Sequence, residues 1–369
     1  MTALATVIDT FGSDLLARYG DRLLPSQRHA LTAMQHCRTA LSARLQVQCT
    51  DCGSRRFVPH SCGHRSCPHC QHHESEQWLQ RQLARQVPAA YFLVTFTLPA
   101  ELRSVAWAHQ RCVYDAMLRA SWETLRSFSQ NDPRLKGTPG AIAVLHTHSR
   151  RLDYHPHVHV VMPAAAIDAK RRLWRTKQTL GKSPYLFSHQ ALAKVFRAKL
   201  LAALAEARIP VPRHPAKWIV DCKHVGTGAK ALAYLGRYLY RGVIREKDIL
   251  ACRDGQVTFR YQDSTTKRWK TRTLPGADFL WLLLRHVLPR RFRRARNFGF
   301  LHPNSKRLLR LVQLLLKVNL AAATAWFRPR PTLTCHACGG SMHVIATRLP
   351  PAQAGPDHPP AGASGCMAM

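Results

Sequence analysis

Apolar positions change rhythm several times along the chain. Ala90–Leu98, AYFLVTFTL, is dense in aromatic and β-branched residues and predicts a strand. Ala141–His148 and His157–Met162 predict two more, joined by a polar loop. Glu101–Ser129, Ser188–Ala207 and Ala229–Arg241 carry apolar residues at helical spacing, and Pro210 closes off the second. Lys217–His224 reads as a strand, Gln256–Tyr261 with Arg268–Leu274 as a hairpin, and Phe279–Leu288 as a buried helix. Residues 1–48 read as helical, with few breakers after Pro25, and Glu74–Gln86 as a polar helix ending before Pro88. The chain is Pro-, Ala- and Gly-rich from Pro350, the composition of a disordered tail. This order of elements predicts an α+β fold, a sheet with helices packed on it.

Charge narrows the partner. The 369 residues hold 55 Lys and Arg against 20 Asp and Glu, a formal +35, while 46% hydrophobic residues supply a core. An excess of that size suits a polyanion, because each phosphate neutralised releases a counterion. An anionic membrane surface is the competing partner. It finds no support, since the most apolar long stretch, Leu308–Phe327, is broken by Arg310, Gln313, Lys317 and Asn319 and reads as a soluble helix. Asp9, Asp14 and Arg18 interrupt what a signal peptide needs apolar, so a cytoplasmic protein is expected. The run RRFRRAR supplies Arg290, Arg291, Arg293, Arg294 and Arg296 as candidate DNA contacts.

Twelve cysteines in a reducing compartment point to metal. CTDC (Cys49, Cys52) and CPHC (Cys67, Cys70) lie fourteen residues apart, a spacing expected to give one closed tetrahedral zinc site of structural type. Cys37, Cys62 and His64 are surplus to that set, able to replace a ligand but expected to be buried beside it. The third pair, Cys335 and Cys338, is equally compatible with a second zinc and with a plain loop.

In DYHPHVHVVMP, residues 153–163, strand alternation puts His155, His157 and His159 on one face and Val158, Val160 and Met162 on the other. A His-x-His pair can share a cation and leave positions open for a third ligand, water and substrate, the geometry of a catalytic metal. His146 or His148 of the preceding strand could supply the third ligand. Alone, such a pair is more often a set of hydrogen-bonded surface histidines. In AKALAYLGRYLYR, Leu232, Leu235 and Leu239 share one side of a helix, and Tyr234 and Tyr238 fall opposite, among Lys230, Arg237 and Arg241. The ordinary reading is an amphipathic helix with tyrosines at its rim. Taken with the histidines, it suggests a phenol attacking a metal-polarised phosphodiester while Arg237 and Arg241 balance charge, leaving a phosphotyrosine bond to DNA.

With these residues in view, the chain resembles the transposases of the insertion-sequence-ninety-one group, which are His-hydrophobe-His (HUH) nucleases. The matching stretches run in order: CRTA (37–40), CxDCG (49–53), SCxxRxCPxCQ (61–71), FTLPAELR (96–103), AVLHT (143–147), HPHVHVVMP (155–163), AYLGRY (233–238), VTFRY (257–261), HVLPRRFRRARNFGFL (286–301) and CHACG (335–339). The resemblance implies an HUH nuclease core, a central antiparallel sheet flanked by helices, behind a small helical zinc-binding domain. It implies nicking and rejoining of single-stranded DNA at the element's ends and target through a 5′-phosphotyrosine, with rolling-circle-like transposition. His157, His159 and His146 then hold magnesium or manganese, Tyr234 and Tyr238 are the nucleophiles, and the protein works at the bacterial nucleoid. The family's Pro-Gly-Gly after the histidine strand is here Pro163 followed by three alanines, and His148 stands where an aromatic residue is usual.

The expected domains are 1–86, helical, zinc-binding and DNA-contacting; 88–300, the nuclease; 301–349, a helical segment with the last CxxC; and 350–369, the tail. A rolling-circle initiator or relaxase would use the same chemistry without the zinc domain. A decayed, non-catalytic zinc DNA-binding protein would not need His157, His159 and a tyrosine intact. A small-molecule metal hydrolase does not suit the charge, and a carboxylate-triad transposase lacks an acidic cluster.

Overall fold

The computed structural model describes residues 4–351 apart from 71, 169, 172, 179–184, 241, 264 and 320–331, and gives the backbone alone for His72, Arg237, Tyr238 and Tyr240. In chain order, helices α1 (Leu4–Tyr19) and α2 (Pro25–Gln35) precede a hairpin of β1 (Arg44–Cys49) and β2 (Arg55–Pro59), then α3 (His72–Leu83). Next come β3 (Tyr91–Thr97), α4 (Arg103–Ala108), α5 (Gln110–Asn131), β4 (Thr138–His148) and β5 (Tyr154–Pro163). Short β6 (Ala165–Asp168) and β7 (Leu173–Thr176) lead to α6 (His189–Glu206), β8 (Val220–His224) and α7 (Ala229–Tyr240). β9 (Ile249–Arg253), β10 (Gln256–Gln262) and β11 (Trp269–Pro275) form a small sheet before α8 (Gly276–Leu284). β12 (Ala295–Gly299), α9 (Lys306–Leu315), β13 (Leu333–Thr334) and β14 (Ser341–Leu349) complete the described residues.

The central sheet has the order β7-β6-β4-β5-β3-β8, with β12 also on β4, and its pairings are antiparallel. Strand alternation divides it into two covered faces. Phe92, Val94 and Phe96 of β3, Ala143 and Leu145 of β4, and Val158, Val160 and Met162 of β5 are buried on one face with α5 and α6. Ile142, Val144 and Val161 look the other way, onto Leu232, Leu235 and Leu239 of α7 and Trp78 of α3. α1 and α8 close a separate core against the β9–β11 sheet, where Tyr19 stacks on Trp281. There the buried Gln27 accepts from Leu24 N–H and donates to the Leu284 carbonyl, both at 2.9 Å, pinning α2 to α8. The fold is thus α+β with helices on both faces of an antiparallel sheet.

Three expectations need correction. Residues 44–48 are strand, not helix, because β1 finds partners on both sides in β2 and β14. Among the described residues of 301–349, α-helix covers Lys306–Leu315 and the end is the β13–β14 hairpin docked on β1, while the part of the expected Leu308–Phe327 helix from residue 320 onward lies outside the described residues. The long helix expected over Glu101–Ser129 breaks at His109 into α4 and α5. The expected tail lies almost wholly outside the described residues. Among the described residues no helix is long and apolar enough to cross a membrane.

β12 approaches β4 through two facing glycines, Gly299 and Gly140. Gly299 has φ +60°, and a Cβ there would lie 1.7 Å from the Pro139 carbonyl oxygen. Gly299→Ala should therefore destabilise the protein by about 2–4 kcal/mol through strain and overpacking. Gly12→Ala, in open space on α1, should stabilise it by roughly 0.5–1 kcal/mol. Thermal unfolding of the two variants checks the opposite signs.

Candidate functional site

The β3–β5–β4 register assembles the histidines. His146 pairs with His157, and His159 sits between Val144 and Thr95. Since even positions of β4 and odd positions of β5 face α7, His146, His157 and His159 converge there, with one ring nitrogen of each within 4.8 Å of the others. Burial holds His157 down at about 4 and His159 at about 3, and pushes His146 well below the usual histidine range. All three are therefore neutral at pH 7, with lone pairs available to a cation. His157 donates from Nδ1 to the His155 carbonyl at 2.7 Å, and His159 Nδ1 is hydrogen-bonded to Thr95 Oγ1 at 2.9 Å. With Nδ1 occupied in both rings, Nε2 is the nitrogen suited to coordination.

His155 shares their face without joining them; its Nδ1 takes a 2.7 Å hydrogen bond from Arg103 at the start of α4. His148 lies toward the buried His286, ring centroids 5.4 Å apart, and is outside the cluster. Of the two candidate third ligands, the structure brings His146 to the pair.

α7 lays Tyr234 over this cluster, its ring centroid 6.2 Å from His159 and 6.4 Å from His146. The helix is held from outside by α3: Ser75 Oγ donates to the Gly236 carbonyl at 2.9 Å, and a Cβ on Gly236 would press to 3.2 Å from Trp78. The side chains of Arg237 and Tyr238, and all of Arg241, lie outside the described residues. Arg294, which sequence reading assigned only to DNA binding, lies just before β12, next to the strand that carries His146, and is a minor influence there beside burial. Arg294 gives its carbonyl to Leu145 N–H at 2.8 Å, and its charge helps to lower both His146 and His148.

Arg291, Arg293, Arg294 and Arg296 share a basin of about 750 Å³ with Arg65, Arg81, Arg85 and Arg111. Arg290 is exposed beside it, and its carbonyl accepts from Arg111 Nη2. Arg65 ties the basin to the cysteine region, donating to the carbonyls of Leu288, Pro289 and Phe292 at 2.7–3.1 Å. Asp115 orients Arg296.

The single zinc set expected from Cys49, Cys52, Cys67 and Cys70 is corrected. Cys67 and Cys70 stand with Cys37 and Cys62, and Cys49 and Cys52 with Cys335 and Cys338, each set of four sulfurs lying within 4.8 Å of one another. The intervening residues do not fold back on themselves. They form β2, which runs from the Cys49–Cys52 turn to Pro59, opposite Arg44. That strand spans roughly 17 Å, and it delivers Cys62 to the end of the hairpin where Cys37 follows α2. β14 pairs with β1 so that Met342 faces Cys49, which brings the preceding Cys335–Cys338 turn to the opposite end. The backbone N–H groups of Ala337 and Cys338 lower Cys335 to about 6, and the hydrogen bond with Cys62 lowers Cys37 to about 6. Their partners move the other way, Cys338 up to about 12 and Cys62 and Cys67 above the usual thiol range, because neighbouring sulfurs hydrogen-bond to one another. The convergence of four sulfurs with no open position is what fits structural zinc.

Sequence reading missed Thr95, although alternation in AYFLVTFTL sets Thr95 and Thr97 on one face. Nothing in the local sequence pairs Cys335 with Cys49.

Comparison with known proteins agrees with this layout. Residues 7–98 match the family described as "Transposase zinc-binding domain", and residues 140–308 match that described as "Putative transposase". The first span holds six cysteines of the two sets, and the second holds His146, His157, His159 and Tyr234. Cys335 and Cys338 lie outside both. "Putative transposase y4qJ" of Sinorhizobium fredii is 32% identical over 320 residues, 78% of this chain and 79% of its own. The transposase for insertion sequence element IS801 of Pseudomonas savastanoi pv. phaseolicola is 27% identical over 73% of this chain and 69% of its own. The conjugative relaxase TrwC in complex with mutant origin DNA aligns over 61% of this chain and 74% of its own at 15% identity, but its TM-score of 0.28 is too low to bear on fold or function. The two family spans follow one another as the cysteine and histidine regions do, and the chain belongs to the transposases of the insertion-sequence-ninety-one type.

Proposed function

We propose that this transposase nicks and rejoins single-stranded DNA at the ends of its element, and at its target, through a 5′-phosphotyrosine on Tyr234. The observation that carries the reading is the cluster of three neutral imidazoles beneath a tyrosine ring. Tyr234 Oη attacks the phosphorus in line: an O–P bond to tyrosine forms, the P–O3′ bond breaks, the phenol gives up a proton and the 3′-oxygen takes one. The number of phosphodiester links is unchanged, so rejoining reverses the same step. Tyr238 is the candidate second nucleophile, and Arg237 and Arg241 are candidate partners of the transferred phosphate beside Arg294.

His146, His157 and His159 would hold a divalent cation, magnesium or manganese, through three imidazole nitrogens. When bound, it supplies Lewis-acid polarisation of the scissile phosphate. The arginine basin beside the site would bind the phosphates of the incoming strand. The two cysteine sets would hold zinc as clamps, one under the basin and one joining the two ends of the chain.

Incubation of the full chain with single-stranded oligonucleotides from the DNA flanking the gene, with manganese, should yield an SDS-resistant adduct carrying the fragment 3′ of the cut. Tyr234→Phe should lower its yield by at least about a hundredfold while DNA binding persists. An undiminished adduct in the double variant Tyr234→Phe/Tyr238→Phe refutes the mechanism.

Metal analysis should find two zinc ions per chain, one lost in Cys335→Ser/Cys338→Ser and the other in Cys67→Ser/Cys70→Ser. A single zinc that survives the first pair of changes rules out the second clamp.

Arg291→Ala/Arg293→Ala should weaken single-stranded DNA binding and reduce the slope of log K against log salt by about 0.7 for each phosphate no longer neutralised. An unaltered slope removes these residues from the interface.

A further inference from the structure

Beside Tyr234 lies a cavity of about 400 Å³ that strand transfer as described does not use. Its volume is within the range of roughly 300–1,000 Å³ typical of small-ligand sites. Tyr234 and His148 form one edge, so it opens directly beside the histidine cluster. The opposite wall belongs to β10 and β11, where Tyr261 and the half-exposed Trp269 offer aromatic surface. Trp269 faces Gln262 across the strand pair, and the Arg260 guanidinium lies 5.0 Å from its ring centroid.

Polar groups at the rim are fixed in place. Asp248, buried at 6% exposure, accepts from Arg260 Nε at 3.0 Å and from Arg245 Nε at 2.6 Å. One carboxylate therefore orients two guanidinium planes at the cavity edge. Arg150, in the loop after β4, donates to Gln262 Oε1 at 3.1 Å and ties that wall to the histidine strands.

Flat aromatic surface for stacking, planar donors and an amide for edge hydrogen bonds, and a place next to the nucleophile together define a ligand class. We propose that this cavity is a nucleobase pocket, taking one unpaired base of the strand next to the phosphate that Tyr234 attacks. A paired base could not enter it, so the pocket selects single-stranded substrate and fixes the register of the cut. The proposal rests on the reading of Tyr234 as nucleophile, and its test separates the two.

Full-length Tyr234→Phe protein is irradiated with single-stranded oligonucleotides spanning both ends of the element, with 5-iodouracil stepped along the sequence. One position, or two adjacent ones, should crosslink to the peptide containing Tyr261 or Trp269. In wild-type protein an abasic residue at that position should reduce adduct yield about tenfold to a hundredfold, as expected when a stacked base is removed. In Trp269→Ala that penalty should shrink toward one at that position alone. Crosslinks confined to the arginine basin, or a full abasic penalty in Trp269→Ala, overturn the pocket. Should wild-type protein form no adduct while the Trp269 crosslink appears, the pocket stands and the nucleophile assignment falls.

Discussion

The antiparallel pairing of β4, β5 and β3 is the constraint on which the site depends. A strand side chain has two directions to choose from, so a single register decides whether three imidazoles meet or scatter. His146 opposite His157 and Thr95 opposite His159 fix that register from both sides of β5. A slip of one residue would carry Val158 and Val160 to the face of α7 and drive the histidines into the core shared with α5 and α6, exposing apolar surface and burying unpartnered rings. The core on the far face thus holds the cluster together, although it touches none of its polar atoms. Burial then keeps the imidazoles neutral, the state in which nitrogen can donate to a cation.

The cysteine clusters answer a different problem. The sheet of β1, β2, β13 and β14 has too little apolar burial to hold itself in place. Around Cys49 and Cys335 the fully buried apolar residues are few: Val47, Cys49, Cys335 and Met342. A metal held by four thiolates contributes folding free energy that such a cluster cannot. The other set braces the side of the histidine cluster: a Cβ on Gly242, just past α7, would lie 2.8 Å from the Ser66 carbonyl between Cys62 and Cys67. Behind that turn, α3 packs along the outside of α7. The cysteine turn, α3 and the tyrosine helix therefore form a chain of contacts that presses Tyr234 toward the sheet.

What could be read from the sequence follows from the range of the interactions. Alternation in HPHVHVVMP and the leucine spacing of AKALAYLGRYLYR are local patterns, and both describe the elements that carry the site. The partition of the cysteines is not local. Cys52 meets Cys335 across 283 residues and Cys49 meets Cys338 across 289, and an equally plausible spacing of CxxC pairs close in sequence hides the true sets. The strand at 44–49 was hidden for the same reason, because half of its pairing comes from the last strand of the chain. The position of Arg294 depends on β12 joining β4, an association that the basic run alone does not announce.

The scarce carboxylates show how an excess of positive charge is kept ordered. Asp248 is shared by Arg245 and Arg260, Asp153 by Arg151 and Arg272, and Asp115 engages Arg296. The pairs of Asp153, which face solvent, add little stability, about 0–1 kcal/mol each, and the buried Asp248 must be paired to avoid leaving a lone charge out of water, so the shared effect is geometric. A carboxylate between two guanidiniums sets the planes of both and still leaves a net positive charge toward the DNA. At the histidine cluster the arrangement changes: among the described residues, no carboxylate belongs to the group. Three neutral imidazoles cancel none of the charge of a divalent cation, whereas aspartate or glutamate ligands would. A phosphate approaching Tyr234 would therefore meet an undiminished positive charge, with Arg294 adding to it. Carboxylates position arginines at the periphery and are kept out of the centre, where their charge would oppose the substrate.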